Sequence, residues 1–250
     1  RFVEEARGLN RSAEAFARYN TIMPVFVKAG GWKAGDTLVQ KDLANTLKRI
    51  RNQGQKGFYE GETARLIVEE MERGHGIITA EDLKNYQAAE REPVVFDYKG
   101  YTVITMPLPS SGGVLLPQMM NMIADYPVKE YGFHSVQAVQ LMTEIERRAY
   151  ADRAQYLGDA DFYKVPVATL TSKAYAKERM RSYEPMKAGS SAAIQAGIIP
   201  ESEETTHLSV YDKEGNAVSV TTTLNGSYGS HTVVGGAGFL LNNEMDDFSV

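Results

Sequence analysis

Two stretches of the chain carry strand alternation on both sides of a turn, and they constrain the fold more than any other feature. In "PVVFDYKGYTVITMP" (93–107), Val, Ile, Tyr and Thr alternate around Lys99-Gly100. In "THLSVYD", "KEGN" and "AVSVTTTLN" (206–225), the same pattern repeats around a Gly-Asn turn. A turn this short joins neighbouring strands only in antiparallel fashion, because a parallel pair needs a crossover of a dozen or more residues. The sheets are therefore expected to be mostly antiparallel, and a βαβ architecture is excluded for these segments.

The rest reads as helix. Residues 1–92 run as helix upon helix with polar outer faces. In "NRSAEAFARYN", Ser12 is a candidate N-cap. "VQKDLANTLKRIRNQG" sets Leu43, Leu47 and Ile50 on one stripe and stops at Gly54. "GETARLIVEEMERGHG" stops at Gly74, and "ITAEDLKNYQA" starts at Thr79 with an acidic first turn at Glu81. After the break "PLPSSGG", "VLLPQMMNMIADYP" reads as an apolar helix containing Pro117. "HSVQAVQLMTEIERRAYADRAQYLGD" gives the longest helical signal, with Ser135 as cap and Val139, Met142, Ile145 and Ala149 as the expected buried stripe. A short helix in "TSKAYAKERMRSY" follows. The stretch 184–204 has no period and is expected to be an exposed, mobile connector. Helices, a hairpin, helices and a second hairpin make an α+β chain with sheets covered by helices on their outer faces.

Composition narrows the function classes. The 250 residues carry a net charge of −5, with acids and bases interspersed, so no concentrated basic face awaits a nucleic acid. No run approaches the 18 or more apolar residues of a membrane span. With no cysteine, thiol chemistry and disulfide scaffolds are excluded. The chain opens at "RFVEEARGLN" without an initiator Met or signal pattern and stops at "NNEMDDFSV", which reads as an interior piece of a longer protein.

Several local patterns carry less chemistry than they suggest. "GGAGFL" lacks the third Gly and the following helix of a dinucleotide loop. The histidines at 75, 134, 207 and 231 have no metal-ligand spacing. "PSSGG" is not a serine-hydrolase elbow; it is either a tight turn before a helix or a set of N–H groups suited to an anion. Thr205 and Thr206 satisfy ordinary strand preference, and "NNEMDDF" satisfies an ordinary polar turn.

The joint pattern is more specific. "TTHLSV", the Gly-Asn turn, "VTTTLN", a Gly-rich stretch and "LLNNEMDDFS" follow one another closely, behind "GFYEG", "MPLPSSGG", "AYADRAQYLGDADFYKVPV" and "LTSKAYAKER". Over essentially all 250 residues this resembles the gamma-glutamyltransferases, N-terminal-nucleophile hydrolases, around their large and small subunit junction. The resemblance implies a partial four-layer αββα sandwich forming one composite domain. Residues 1–204 would be the end of a large subunit, with connector 184–204, and 205–250 the start of a small subunit.

It further implies that the precursor cuts itself at Glu204–Thr205. Thr205 becomes both the new amino terminus and the nucleophile, because a free α-amine on the same residue can take the hydroxyl proton. Thr223 matches the supporting hydroxyl. Asn225, Glu244 and Asp247 match positions that hold the glutamate end of the donor, and an α-ammonium group calls for carboxylates such as these. The family's oxyanion Gly pair, Ser pair and carboxylate-binding Arg would lie outside these residues. Implied partners are glutathione and other gamma-glutamyl donors, amino acids, peptides or water as acceptors, and the two subunits of a heterodimer. No cofactor, metal, nucleic acid or membrane span is implied, and the location would be periplasmic or secreted. A cephalosporin or glutaryl acylase-type amidase, and an inactive fragment serving as an interaction module, stay as alternatives.

Overall fold

The structure, a computed structural model, describes residues 2–194 and 205–247. Six helices come first: α1 (Phe2–Arg11), α2 (Ala13–Tyr19), α3 (Lys41–Gln53), α4 (Lys56–Tyr59), α5 (Gly61–Gly74) and α6 (Ala80–Asn85). The hairpin β1 (Val94–Tyr98) and β2 (Tyr101–Thr105) follows. Then come α7 (Gly112–Ile123), α8 (Val128–Tyr131), α9 (Val136–Tyr156), α10 (Val167–Leu170) and α11 (Lys173–Met180). A second hairpin, β3 (Thr205–Tyr211) and β4 (Ala217–Thr223), leads to a 3-10 turn at Glu244–Asp247.

Most boundaries have local causes. Lys99 and Gly100 both take positive φ, 49° and 85°, the mirror-image turn whose twist suits a two-residue hairpin. α3 stops at Gly54, whose N–H bonds the Ile50 carbonyl. Ser135 Oγ accepts the Ala138 N–H at 3.1 Å and caps α9. Thr79 caps α6, whose first turn carries Glu81 and Asp82 as expected: Thr79 Oγ1 accepts the Asp82 N–H while Asp82 Oδ2 accepts the Thr79 N–H, a capping box.

Some expectations are corrected. Ser12 makes no side-chain cap; its N–H bonds Gly8 and its carbonyl accepts from Phe16, so the backbone stays helical between α1 and α2. α5 runs through Gly74, and His75 takes the left-handed terminating conformation. In α3, Leu47 is exposed and Thr46 is buried instead, because the Thr46 hydroxyl donates to the Ala237 carbonyl at 2.8 Å. In α9, Val139 and Met142 face solvent; Ala138, Leu141, Ile145 and Ala149 are buried.

The chain divides into two compact units, Arg1–Ala88 with Glu201–Asp247, and Ala89–Pro200 with Phe248–Val250. In the first, one core gathers Ala64, Ile67 and Leu83 around Val234 and Ala237, and a second packs Phe16, Phe26 and Val233. In the second unit, α7, α9 and α11 enclose Met122, Leu141, Ile145, Ala176 and Met180, while Leu108, Val114 and Leu170 form a smaller cluster. Each of the two sheets among the described residues is a two-stranded antiparallel hairpin. Residues 206–211 and 217–222 of β3–β4 are exposed throughout. No helix among the described residues is long and apolar enough to cross a membrane.

Candidate active site

The hairpin turn sets everything downstream of it. Asp212 at the end of β3 accepts backbone N–H bonds from Glu214 and Asn216 and a third bond from the Asn216 amide. These bonds, those of Asn216 foremost, hold the Asp212 carboxyl below its ordinary pKa. With the turn fixed, register is fixed, because a slip of one residue would turn every side chain to the other face. The register pairs Tyr211 with Ala217 at the turn and Thr205 with Thr223 at the open end. The two threonines that the sequence singles out, 18 positions apart, are thus direct cross-strand neighbours. Two pairs further along the ladder, His207 clamps the strands, its Nδ1 2.7 Å from Thr221 Oγ1 and its Nε2 3.0 Å from Ser219 Oγ.

Asn225 sits just beyond β4, buried and in the left-handed region (φ 68°). That conformation is uncommon for a residue with a side chain, and Asn tolerates it best. It turns the Asn225 N–H back onto Thr223 Oγ1 at 2.9 Å. The Asn225 amide in turn donates to the Asn243 carbonyl at 3.1 Å.

Asn243 is a residue that sequence reasoning missed. Its N–H donates to the Leu224 carbonyl, its Oδ1 accepts the Gly226 N–H at 2.9 Å, and its Nδ2 donates to Asp246 Oδ2 at 2.8 Å. One side chain therefore lashes segment 224–226 to the 3-10 turn Glu244–Asp247. The Glu244 N–H is held by Asn242 Oδ1 at 3.0 Å. So the structure brings together Thr205 and Thr223 by register, Asn225 by a direct bond, and the turn carrying Glu244 and Asp247 through Asn243. Glu204 lies outside the described residues.

The Gly-rich loop between these segments is anchored from afar. Asn20 donates to the His231 carbonyl at 2.7 Å and accepts the Val233 N–H at 2.7 Å. Buried Glu70 accepts the Gly235 N–H at 2.9 Å and Arg73 at 2.5 Å. At Gly238 (φ 78°) a Cβ would lie 2.6 Å from the Leu43 nitrogen, so only glycine lets the loop cross the start of α3. None of these long-range partners has a local signal. Among the described residues no cluster of His, Cys, Asp or Glu is arranged to hold a metal. The arrangement pairs two threonine positions across the ladder and ties the segment after them to an acidic turn.

Comparison with known proteins identifies the family. The Gamma-glutamyltranspeptidase family profile matches residues 4–250. The glutathione hydrolase proenzyme of Escherichia coli (strain K12) is 48% identical over 240 residues, covering 95% of this chain and 41% of that protein. The acylase ACY 1 proenzyme of Pseudomonas sp. (strain SE83) is 42% identical over 215 residues, 86% of this chain and 38% of that one. The crystal structure of Helicobacter pylori gamma-glutamyltranspeptidase aligns with a TM-score of 0.73 and 41% identity, over 78% of this chain and 56% of that one. The chain thus spans about two fifths of the length of these curated relatives. It belongs to the gamma-glutamyltranspeptidase family of N-terminal-nucleophile hydrolases.

Proposed function

We propose that the polypeptide containing this chain is a self-processing gamma-glutamyltransferase and glutathione hydrolase, with Thr205 as nucleophile. The observation that carries the reading is the cross-strand pairing of Thr205 with Thr223, whose hydroxyl is already held by the Asn225 N–H. In the precursor, Thr205 Oγ attacks the Glu204 carbonyl. The C–N bond breaks, the hydroxyl proton passes to the departing amine, and water hydrolyses the ester to leave a Glu204 carboxylate and a free Thr205. The new α-amine, with a reference pKa of about 7.7–8.0, then serves as base for the same hydroxyl.

In turnover, Thr205 attacks the γ-carbonyl of glutathione or another gamma-glutamyl donor and the amine leaves with the proton. The gamma-glutamyl ester passes to water or to the amine of an amino acid or peptide. Asn225, Glu244 and Asp247 hold the donor's α-amino acid end. Large and small segments stay together as a heterodimer after the cut, in a periplasmic or secreted location. The two hairpins belong to a four-layer αββα sandwich, a reading supported by the bare apolar face of Leu208, Val210, Val218 and Val220, which such a layer would bury.

The test is intact mass and N-terminal sequencing of the complete gene product, with release from a gamma-glutamyl anilide. A new terminus at Thr205 and anilide release are expected, and Thr205→Ala should lose both. An uncut, inactive wild-type chain would overturn the reading. The acylase relative gives a second reading, an amidase for donors without an α-ammonium group; faster release from a glutaryl amide would establish it instead.

A further inference from the structure

Three side chains from the first helices hold the Gly-rich loop, and the chemistry at Thr205 uses none of them. Asn20 ends α2, Thr46 lies in α3 and Glu70 in α5, and all three are buried. Asn20 donates to the His231 carbonyl and accepts the Val233 N–H. Glu70 accepts the Gly235 N–H, and Thr46 donates to the Ala237 carbonyl. These bonds fall on alternate residues, 231, 233, 235 and 237, and every one is to main chain. A neighbouring strand grips an antiparallel partner in the same alternating way. Here side chains take the neighbour's place.

The loop is itself a ladder. The Ser230 N–H donates to the Leu241 carbonyl at 3.0 Å, the Leu241 N–H to Thr232 at 2.9 Å, and the Val234 N–H to Phe239 at 3.0 Å. One side of this ladder begins just after Asn225. The other runs into Asn242, whose Oδ1 holds the Glu244 N–H. Among the described residues, β3 and β4 make no more than isolated contacts with the helices. The helices therefore reach the threonine end of the hairpin through the loop. The fit at its tip is close: a Cβ at Gly235 would lie 2.8 Å from Ile22 Cδ1, 3.0 Å from Arg73 Nη2 and 3.3 Å from Glu70 Oε2.

We propose that Asn20, Thr46 and Glu70 are positioning residues for the gamma-glutamyl donor. By docking the ladder they set the acidic turn Glu244–Asp247 relative to Asn225 before the donor arrives. The inference rests on the reading above, in which Asn225, Glu244 and Asp247 hold the donor. The donor grip is then set from the far side of the Glu204–Thr205 bond, by what becomes a separate chain once that bond is cut. A loop docked only part of the time binds donor in proportion to its docked fraction. Apparent affinity falls with undocking, while the step at Thr205 is spared.

The experiment measures KM and kcat for a gamma-glutamyl anilide on the complete, self-cleaved gene product. The variants are Glu70→Ala, Glu70→Gln, Asn20→Ala, Thr46→Val, Gly235→Ala and the double variant Glu70→Ala with Gly235→Ala. KM is expected to rise about fivefold in Glu70→Ala, Asn20→Ala and Thr46→Val, the usual net worth of one hydrogen bond, with kcat near the wild-type value. Glu70→Gln keeps an acceptor for the Gly235 N–H and should recover most of the KM. Gly235→Ala attacks the same contact from the loop side, so the double variant should be no worse than the poorer single one. A plain folding defect would lower the number of active molecules, and with it the apparent kcat, and leave KM alone. Wild-type KM in Glu70→Ala and Asn20→Ala would overturn the proposal, as would a loss confined to kcat or additive effects in the double variant. A wild type that releases no anilide would instead bring down the functional reading, and this proposal with it.

Discussion

Thr223 accepts a backbone N–H from Asn225, and this decides what its hydroxyl can do. The residue across the ladder is Thr205, and on the proposed reading the Thr223 hydroxyl supports that nucleophile. Thr223→Ala should lower kcat about 100-fold, the usual cost of one preorganised donor, with little change in KM. Steady-state kinetics on a gamma-glutamyl anilide check this. Asp247→Asn should act on the other parameter. Losing one charge-assisted bond, about 1.5–3 kcal/mol, should raise KM about 10- to 100-fold and narrow the preference for donors with an α-ammonium group. A base with a reference pKa of about 7.7–8.0 makes kcat/KM climb as pH rises through that range. A flat profile there would argue for a different base.

At the scale of elements, legibility in the sequence depended on how local the cause was. Both hairpins could be read directly, because a period of two and a Lys-Gly or Gly-Asn turn are written within a dozen residues. The buried face of α9 could not. Its apolar residues lie on two faces, and the choice was made by α7 and α11 packing on Leu141 and Ile145, leaving Val139 and Met142 outside. Thr205, Thr223 and Asn225 could be named from the motif. Asn20, Glu70 and Asn243, which hold the same region in shape, act across long gaps in sequence and left no pattern to find. The capping box of α6 gives a local test: Thr79→Ala should cost about 1 kcal/mol in denaturant unfolding. Glu144 gives a pH test. Burial pushes its carboxyl up, but Arg148, the Gly189 N–H and Arg147 outweigh it and leave the pKa below the ordinary value. A depressed carboxylate contributes stability above its unfolded pKa of about 4.3 and loses it as pH falls through the folded value. Below about pH 4.3, wild type should therefore lose urea resistance more steeply than Glu144→Gln.

For the whole molecule, the telling surface is apolar. β3–β4 shows Leu208, Val210, Val218 and Val220 on one face, and α9 shows Val136, Val139 and Met142. An apolar face such as that of β3–β4 is uncommon on a freestanding monomer. The 250-residue chain produced by itself should bind a hydrophobic dye and scatter light as its concentration rises. Val210→Thr with Val218→Thr should reduce both signals while leaving the thermal midpoint nearly unchanged.

Asn243 joins the threonine end of the hairpin to the acidic turn through a single side chain and its backbone. That makes the turn after it an exchangeable cassette. Residues 244, 245 and 247 can be rewritten without removing a bond of Asn243, provided Asp246 stays as its partner. On the proposed reading, changes at Glu244 and Asp247 would trade one class of acyl donor for another while Thr205 and Thr223 stay paired.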